Sequence, residues 1–333
     1  MFDTNTLMVI VSVVAGFLAA LILGKLFVPM LRALKAGQSI REEGPKWHNS
    51  KSGTPTMGGI VFICSSLLCG LTGLPALLKT GDYSHLLVLA LALMFGLIGF
   101  YDDFIKVKKK RNLGLTGMQK LLLQIAAAAI FLVAMHFSGN LSYDLYFPFV
   151  KEALFHVPIP VYLIVAVFII VGCVNAVNIT DGIDGLASGV TTPVMLFFTL
   201  VAMLAGNAGL STFPAVLAGA LGGFLFYNFY PAKTFMGDTG SLFLGGAVVG
   251  LAFALNMPLV LLFVGLIYII ETMSDILQVG YFKLTHGKRI FKMAPIHHHF
   301  EMCGWSEIKI WFVFVLTTVV MCVLAFFGVR IWF

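Results

Sequence analysis

Ten apolar segments, each long enough to cross a lipid bilayer as a helix, dominate this sequence. A helical span needs roughly 17 to 25 mostly apolar residues. Hydrophobic residues make up 59% of the chain and charged residues 11%, a composition far from that of soluble domains. The sequence therefore predicts an all-α integral membrane protein, with a single polytopic domain over residues 1–333. The expected spans are centred on residues 8–31, 57–78, 84–101, 117–137, 158–177, 185–205, 212–229, 240–255, 258–280 and 308–329.

The basic residues predict how these spans are oriented, because Lys and Arg gather in cytoplasmic loops near the ends of helices. With ten helices, only Lys79, Lys151 and Arg330 of the 21 Lys and Arg residues fall on the face that carries both termini. We therefore expect external termini and cytoplasmic odd-numbered loops. The first apolar stretch lacks a basic start and a small-residue cleavage site, so we interpret it as a retained span.

The net charge of +6 fits attraction to anionic lipid at the inner leaflet. No segment resembles a nucleic-acid-binding module, so we expect no nucleic-acid partner. Polar residues capable of chemistry concentrate in the cytoplasmic loops instead. A secondary transporter would concentrate them within the membrane and show repeat symmetry, which makes that class the weaker alternative.

Five aspartates fall where the predicted helices meet the cytoplasmic interface: Asp102, Asp103, Asp181, Asp184 and Asp238. Each has a simpler structural interpretation, as a residue that ends a span or caps the following helix. Adjacent carboxylates repel, however, and a divalent cation or a lysine one helical turn away, such as Lys106, relieves that repulsion. The convergence of acids from three distant loops predicts an Mg²⁺ site on the cytoplasmic face.

Two further stretches favour a bound phosphate or sugar. In "NITDGIDGL", Gly182 and Gly185 follow the two aspartates, and a helix start with glycines lets a phosphate approach free backbone amides. Asn178 lies just upstream and can supply an amide. In the ninth span, Glu271 and Asp275 share one helical face, where they either line the active cavity or serve the helix structurally, and Gln278 is the better candidate for a direct contact.

The motif "APIHHHFE" at residues 294–301 raises the question of a zinc cage. A zinc site needs further ligands at suitable spacing, and neighbouring side chains on an extended segment point to opposite sides. We therefore interpret this stretch as a loop in which one or two imidazoles contact phosphate and sugar. Together the motifs predict metal-assisted phosphoryl transfer, in which a soluble nucleotide-linked donor meets a phosphate dissolved in the membrane.

Over essentially its whole length the chain resembles the phospho-N-acetylmuramoyl-pentapeptide transferase family, a branch of the polyprenyl-phosphate N-acetylhexosamine-1-phosphate transferase superfamily. The motifs "SGTPTMGG", "YDDFIK", "NAVNITDGIDGLASG", "MGDTGS" and "APIHHHFE" carry the resemblance, in this order. It implies transfer of phospho-MurNAc-pentapeptide from UDP-MurNAc-pentapeptide to undecaprenyl phosphate, giving lipid I and UMP in peptidoglycan synthesis. It also implies an Mg²⁺ cofactor, a homodimer and a bacterial cytoplasmic-membrane location. The alternative within this class is a UDP-GlcNAc:polyprenyl-phosphate GlcNAc-1-phosphate transferase.

The resemblance also implies a set of site residues. Catalytic roles fall on Asp102, Asp103, Asp238 and His297, and metal binding on Asp238 and Asp102. Substrate contacts fall on Lys51, Thr56, Lys106, Asn178, Asp181, Asp184, Phe235, Gln278 and His298.

Two mechanisms stay open at this point: direct attack by the lipid phosphate, or a covalent intermediate on Asp103 or Asp238. We favour direct attack as a hypothesis, because a phosphate monoester with a second pKa of about 6 is already largely dianionic at neutral pH.

Overall fold

The computed structural model describes residues 4–34, 51, 53–109 and 113–333, and this part of the chain is built from helices. Most of the first predicted cytoplasmic loop, residues 35–50 and 52, lies outside the described residues. The helices are α1 (Thr4–Ala33), α2 (Ile60–Ser66), α3 (Cys69–Thr72), α4 (Leu74–Thr80), α5 (Ser84–Lys109), α6 (Gly117–Phe137), α7 (Ile159–Thr180), α8 (Leu186–Leu204), α9 (Ala208–Asn228), α10 (Gly237–Ala254), α11 (Leu261–Val264), α12 (Leu266–Leu284), α13 (Ile296–Met302) and α14 (Glu307–Val329).

The predicted all-α membrane class is confirmed. Within the described residues, 8 helices are long and apolar enough to cross a bilayer, and 2 bent helix pairs bring the number to 10 if each pair crosses once. One bent pair joins Ile60–Thr72 to Leu74–Thr80 at 41°. The other joins Pro258–Val264 to Leu266–Leu284 at 81°. The expected second and ninth spans are therefore broken helices.

Helix α10 lies at the centre of the bundle. Every residue from Thr239 to Phe253 is buried, and α5 and α7 pack along it. A helix that is apolar on all sides can be buried in this way, because no polar face has to reach water or lipid headgroups. The start of α10 carries Asp238, so the most enclosed helix of the bundle presents the central acid of the predicted site.

The connection between α6 and α7 forms a small hairpin at the end of the bundle opposite to the start of α6. Strands β1 (Asp144–Leu145) and β2 (Phe155–His156) pair antiparallel. The indole of Trp332 donates a hydrogen bond to the Val150 carbonyl at 2.7 Å, which ties the C-terminal end of the chain to this connection.

Helix α1 packs against α9 through small residues at every fourth position, beginning with Ser12, Gly16, Ala20 and Gly24. The backbones approach so closely that a Cβ on Gly16 would overlap the Val216 carbonyl oxygen. Without a hydrophobic driving force between helices in lipid, such close van der Waals contact is what holds membrane helices together.

We expect Gly219→Val to destabilise the fold, because a Cβ at this position of α9 would overlap the carbonyl oxygen of Val13 on α1. Overpacking of this kind costs about 1 to 3 kcal/mol. A fall in the thermal unfolding midpoint in detergent measures the effect. Gly222→Val is the matched control, since its added Cβ would meet only the Phe17 ring at 3.5 Å. Equal midpoints for the two variants would contradict the expectation.

Candidate active site

The acidic pair Asp102 and Asp103 lies on the last turns of α5, which continues to Lys109, beyond the expected end of its span. Both side chains are only 3% exposed. One turn earlier, Gly99 packs directly on the backbone of Asp238, since an added Cβ would overlap the Asp238 carbonyl oxygen. This close helix contact brings the α5 pair next to Asp238 in the first turn of α10.

Three carboxyl groups therefore form one cluster, with a ligand atom from each of Asp102, Asp103 and Asp238 within 4.8 Å of the others. The ammonium group of Lys106 lies among them. Its Nζ is 2.6 Å from Asp102 Oδ2, 3.7 Å from Asp103 Oδ1 and 2.9 Å from Asp238 Oδ2. The expected pairing of Lys106 with Asp102, one turn before it, is thus present. The same ammonium group also lies near Asp103 and Asp238.

Each of the three carboxyl groups has one oxygen anchored by the protein and one turned toward Lys106. The anchoring bonds are Leu115 N to Asp102 Oδ1 (2.8 Å), Thr239 N and Oγ1 to Asp103 Oδ2 (2.9 and 2.7 Å), and Asn178 Nδ2 to Asp238 Oδ1 (2.9 Å). The side chains are therefore held in place before any ligand arrives.

The three oxygens that face Lys106 form a donor set that fits a divalent cation. Carboxylate oxygens are the ligands that hard cations such as Mg²⁺ take from proteins, with the other positions left to water and phosphate. The lysine ammonium already shows that positive charge is favoured at this point. Asp103 belongs to the set, together with the two metal ligands that the sequence predicted.

Lys120 in the first turns of α6 is a site residue that the sequence reasoning missed. Its Nζ donates to Asp238 Oδ2 at 3.0 Å. The helix begins with a capping box, in which the Thr116 and Gln119 side chains bond each other's backbone amides. A signal was available, since a lysine inside an apolar segment is costly unless it pairs with an acid.

Asp181 does not cap the following helix but ends α7, and the N-cap of α8 is Gly185, without a side-chain cap bond. Burial, with the neighbouring charges of Asp238 and Asp103, raises the pKa of Asp181 to about 8. At neutral pH much of this carboxyl group therefore carries a proton and can donate a hydrogen bond.

Asp184 also plays no capping role. Its Oδ1 accepts from Lys51 Nζ at 2.7 Å, and its Oδ2 accepts from the Ala232 amide at 2.9 Å. Lys51 bonds Glu307 Oε2 as well, at 2.7 Å. Burial alone would lower the pKa of Lys51, but the bonds to the two carboxylates outweigh it and raise the pKa. Glu307 at the start of α14 is a second residue that the sequence reasoning missed, because an acid there is ordinarily a response to the helix dipole.

Thr56 and Phe235 lie where the segment before α2 meets the segment before α10. The Phe235 amide donates to the Pro55 carbonyl at 2.8 Å, and the Gly58 amide donates to the Phe235 carbonyl at 2.8 Å. The Thr56 hydroxyl and the Asp103 carboxylate both lie against Gly237, whose φ is +69°. The two predicted contacts are thereby placed beside the acidic cluster.

The three histidines lie on the short helix α13 and not on an extended segment, so that part of the expectation is wrong. The His297 and His298 rings lie in contact, with centroids 4.1 Å apart, but the three imidazoles bond different partners. His297 Nδ1 lies 2.9 Å from Glu271 Oε2, His298 Nδ1 lies 2.6 Å from Glu301 Oε2, and the Lys292 amide donates to His299 Nδ1.

Gln278 holds the loop before the histidines. Its Oε1 accepts from the amides of Ile290 and Phe291, and its Nε2 donates to the Phe291 carbonyl, all at 3.0 Å. Its amide group thus orders the histidine loop. Direct contact of Gln278 with a substrate stays a prediction.

The bundle of membrane helices and the enclosed acidic cluster at their ends define a polytopic membrane enzyme of the phosphoryl-transfer type. The sequence profile of glycosyl transferase family 4 matches residues 85–256, which contain all three acids of this cluster. Signature 1 of the phospho-N-acetylmuramoyl-pentapeptide-transferases matches residues 51–63.

Curated relatives agree over nearly the full length. The phospho-N-acetylmuramoyl-pentapeptide-transferase of Clostridium acetobutylicum is 49% identical, covering 96% of this chain and 98% of the relative. The enzyme of that name from Clostridioides difficile is 48% identical, covering 92% and 93% of the two chains. That from Caldanaerobacter subterraneus subsp. tengcongensis is 47% identical, covering 96% and 98%. The chain belongs to the phospho-N-acetylmuramoyl-pentapeptide-transferase family and is a phospho-sugar transferase.

We expect Lys120→Met to lower the rate of phospho-sugar transfer by about a hundredfold, because it removes a positioned charge next to Asp238. Methionine keeps most of the apolar stem, which separates the loss of charge from a loss of packing. The measurement is kcat for transfer by the purified enzyme. The exposed Lys109, changed to Met, is the control and should keep the full rate. Similar rates for the two variants would remove Lys120 from the site.

Proposed function

We propose that this protein transfers phospho-N-acetylmuramoyl-pentapeptide from UDP-MurNAc-pentapeptide to undecaprenyl phosphate, giving lipid I and UMP. The observation that carries the proposal is the convergence of Asp102, Asp103 and Asp238 on a single cationic point at the end of membrane helices. A donor from water and a lipid phosphate can meet at such a place. The signature over residues 51–63 favours the muramoyl-pentapeptide donor over UDP-GlcNAc.

The cofactor we propose is Mg²⁺, held by the carboxylates of Asp102, Asp103 and Asp238. The bound cation would neutralise phosphate oxygens of the donor. Lys106 and Lys120 supply the remaining positive charge from the protein, since each ammonium contacts Asp238 and lies within reach of a phosphate bound there. Phosphoryl transfer is catalysed mainly by positioning and charge stabilisation of this kind.

The donor side of the site is assigned to residues around the acidic turn, which is the segment 181–185 between α7 and α8. Asp181 lies at the end of α7, where burial and the neighbouring acids raise the pKa of its carboxyl group. Phe235 offers an aromatic ring to the uracil, and Asn178, Asp184 and Lys51 lie around the same turn. Thr56, Gln278, His297 and His298 complete the set that we propose for the nucleotide-sugar pocket.

The chemical step that we propose is direct. An oxygen of the lipid phosphate attacks the β-phosphorus of the donor, the bond from that phosphorus to the bridging oxygen breaks, and UMP leaves with the electron pair. Asp102 is the candidate acceptor for a proton still carried by the lipid phosphate. The dianionic phosphate needs little further activation.

Three parts of the assignment stay predictions: the location in the bacterial cytoplasmic membrane, the cytoplasmic side of the acidic cluster, and the homodimer. The multi-pass membrane fold and the names of the bacterial relatives support the first. The strongly basic loops on the side of the acidic cluster support the second.

We expect the purified protein, with undecaprenyl phosphate and Mg²⁺, to release UMP from UDP-MurNAc-pentapeptide and not from UDP-GlcNAc. EDTA should abolish the release, and added Mg²⁺ should restore it. Asp238→Asn should lower the rate by about a thousandfold, because it removes a carboxylate from the cation site. Asp144→Asn, in the hairpin at the far end of the bundle, is the matched control and should keep the rate. UMP from neither donor would refute the enzyme assignment, and UMP from UDP-GlcNAc alone would favour the alternative donor.

A direct step also predicts that no covalent intermediate forms. When the enzyme is incubated with UDP-MurNAc-pentapeptide and Mg²⁺ in the absence of lipid, the intact protein mass should stay unchanged and no burst of UMP should appear. A mass increase equal to phospho-MurNAc-pentapeptide, located on Asp103 or Asp238 by peptide mapping, would replace the direct step with a two-step mechanism.

A further inference from the structure

Glu271 is a buried carboxyl group in the apolar helix α12, and the proposed chemistry leaves it without a role. Its side chain is 0% exposed, and its Oε2 lies 2.9 Å from Nδ1 of His297, which is 1% exposed. Within the described part of the chain, Oε1 of Glu271 has no hydrogen-bond partner. Burying a carboxyl group costs free energy unless a partner compensates for it. Within the described residues, the hydrogen bond with His297 is therefore the interaction that compensates for the burial of the Glu271 carboxyl group.

The opposite edge of the His297 ring lies against the acidic turn between α7 and α8. A Cβ on Gly182 would overlap Nε2 and Cε1 of this ring, so only glycine fits at this position. Among the described residues, nothing forms a hydrogen bond with Nε2, although the atom is fully buried. The imidazole thus bridges α12 to the turn that follows Asp181.

The bond to Glu271 selects one form of the imidazole ring. A neutral imidazole carries its proton on one nitrogen, and a carboxylate partner fixes which nitrogen that is. If Nε2 carried the proton, a buried N–H would have no acceptor, which proteins rarely allow. A proton on Nδ1 satisfies the carboxylate and leaves only a lone pair facing Gly182.

We propose that Glu271 is a positioning residue that holds His297 in the Nδ1-protonated form, with its ring against Gly182, and thereby sets the place of the Asp181 turn in the donor site. This role deepens the proposed function and rests on it. His298 carries the same arrangement, with Nδ1 bonded to Glu301 at 2.6 Å, so two adjacent imidazoles are oriented by carboxyl groups.

The kinetic test compares Glu271→Gln, His297→Ala and the double variant. Glutamine keeps the shape of Glu271, but its amide can either accept from Nδ1 or donate to it, so the ring is no longer fixed. We expect the KM for UDP-MurNAc-pentapeptide to rise about tenfold in each single variant. The KM for undecaprenyl phosphate should stay unchanged. The double variant should match His297→Ala, because Glu271 acts only through that ring.

Thr272→Val is the matched control. Thr272 is the next residue on α12, and its buried hydroxyl has no hydrogen-bond partner within the described residues. Its loss should leave both KM values and the thermal midpoint near those of the wild type. Effects of Glu271→Gln and His297→Ala that multiply in the double variant would overturn the proposal. So would an equal rise of KM for both substrates, since that is the result of a general loss of structure.

A spectroscopic measurement keeps the proposal testable if Glu271→Gln folds poorly or if the chain shows no transferase activity. In protein labelled with ¹⁵N-histidine, the His297 signals are those missing from His297→Ala. The wild type should show a protonated Nδ1 and an unprotonated Nε2. A proton on Nε2 in the wild type would overturn the proposal without any reference to activity. If this test succeeds while no UMP is released, the proposed function fails and the positioning role of Glu271 stands.

Discussion

The repulsion among three carboxyl groups, enclosed at the ends of membrane helices, is the constraint to which the rest of the site responds. Asp102, Asp103 and Asp238 come within 4.8 Å of one another, and the first two are buried. Such a cluster exists only because positive charge and hydrogen-bond donors compensate for it. Lys106 supplies part of that charge from the same helix as two of the acids. Lys120 adds a second positive charge from a neighbouring helix. The outer oxygens accept from the Leu115 and Thr239 backbone amides, the Thr239 hydroxyl and the Asn178 side-chain amide.

Close helix packing makes this arrangement possible. Because Gly99 has no side chain, α5 touches the backbone of Asp238, and the carboxyl groups one turn further along α5 then lie beside the Asp238 side chain. A larger residue at position 99 would push the two helices apart. The membrane interior and the chemistry at its edge are therefore linked, since helix spacing within the bundle sets the spacing of the acids.

The sequence predicted the helical membrane class, the ten apolar segments and the acids that meet at one site, because each depends on local composition or on motif. Helix geometry alone predicted the pairing of Asp102 with Lys106. Other features depend on how distant segments pack, and no local pattern reports that. The 81° bend before α12, the reach of Lys120 to Asp238 and the network of Lys51, Asp184 and Glu307 belong to this group.

The simpler interpretation of these aspartates, as helix caps, is not the one that the structure shows for Asp184 and Asp238. An aspartate before a helix ordinarily bonds the free amides of its first turn. Asp184 and Asp238 instead accept bonds from donors elsewhere in the chain, at Ala232 and Asn178. A position that looks like a cap in the sequence was thus used for long-range contact, and only the three-dimensional structure distinguishes the two uses.

Each of the three carboxyl groups has one oxygen anchored by the protein and one that faces Lys106, and this arrangement limits which side chains can replace the aspartates. In Asp103, the anchored oxygen accepts from the Thr239 amide and hydroxyl, while the other lies toward the Lys106 ammonium. A carboxamide at this position has one acceptor oxygen where the carboxylate has two. If that oxygen kept the bonds from Thr239, the NH₂ group would face the Lys106 ammonium. If the oxygen faced Lys106 instead, the NH₂ group would meet the Thr239 amide, which is also a donor. Asparagine has nearly the shape of aspartate, but neither orientation of its amide keeps an acceptor on both sides.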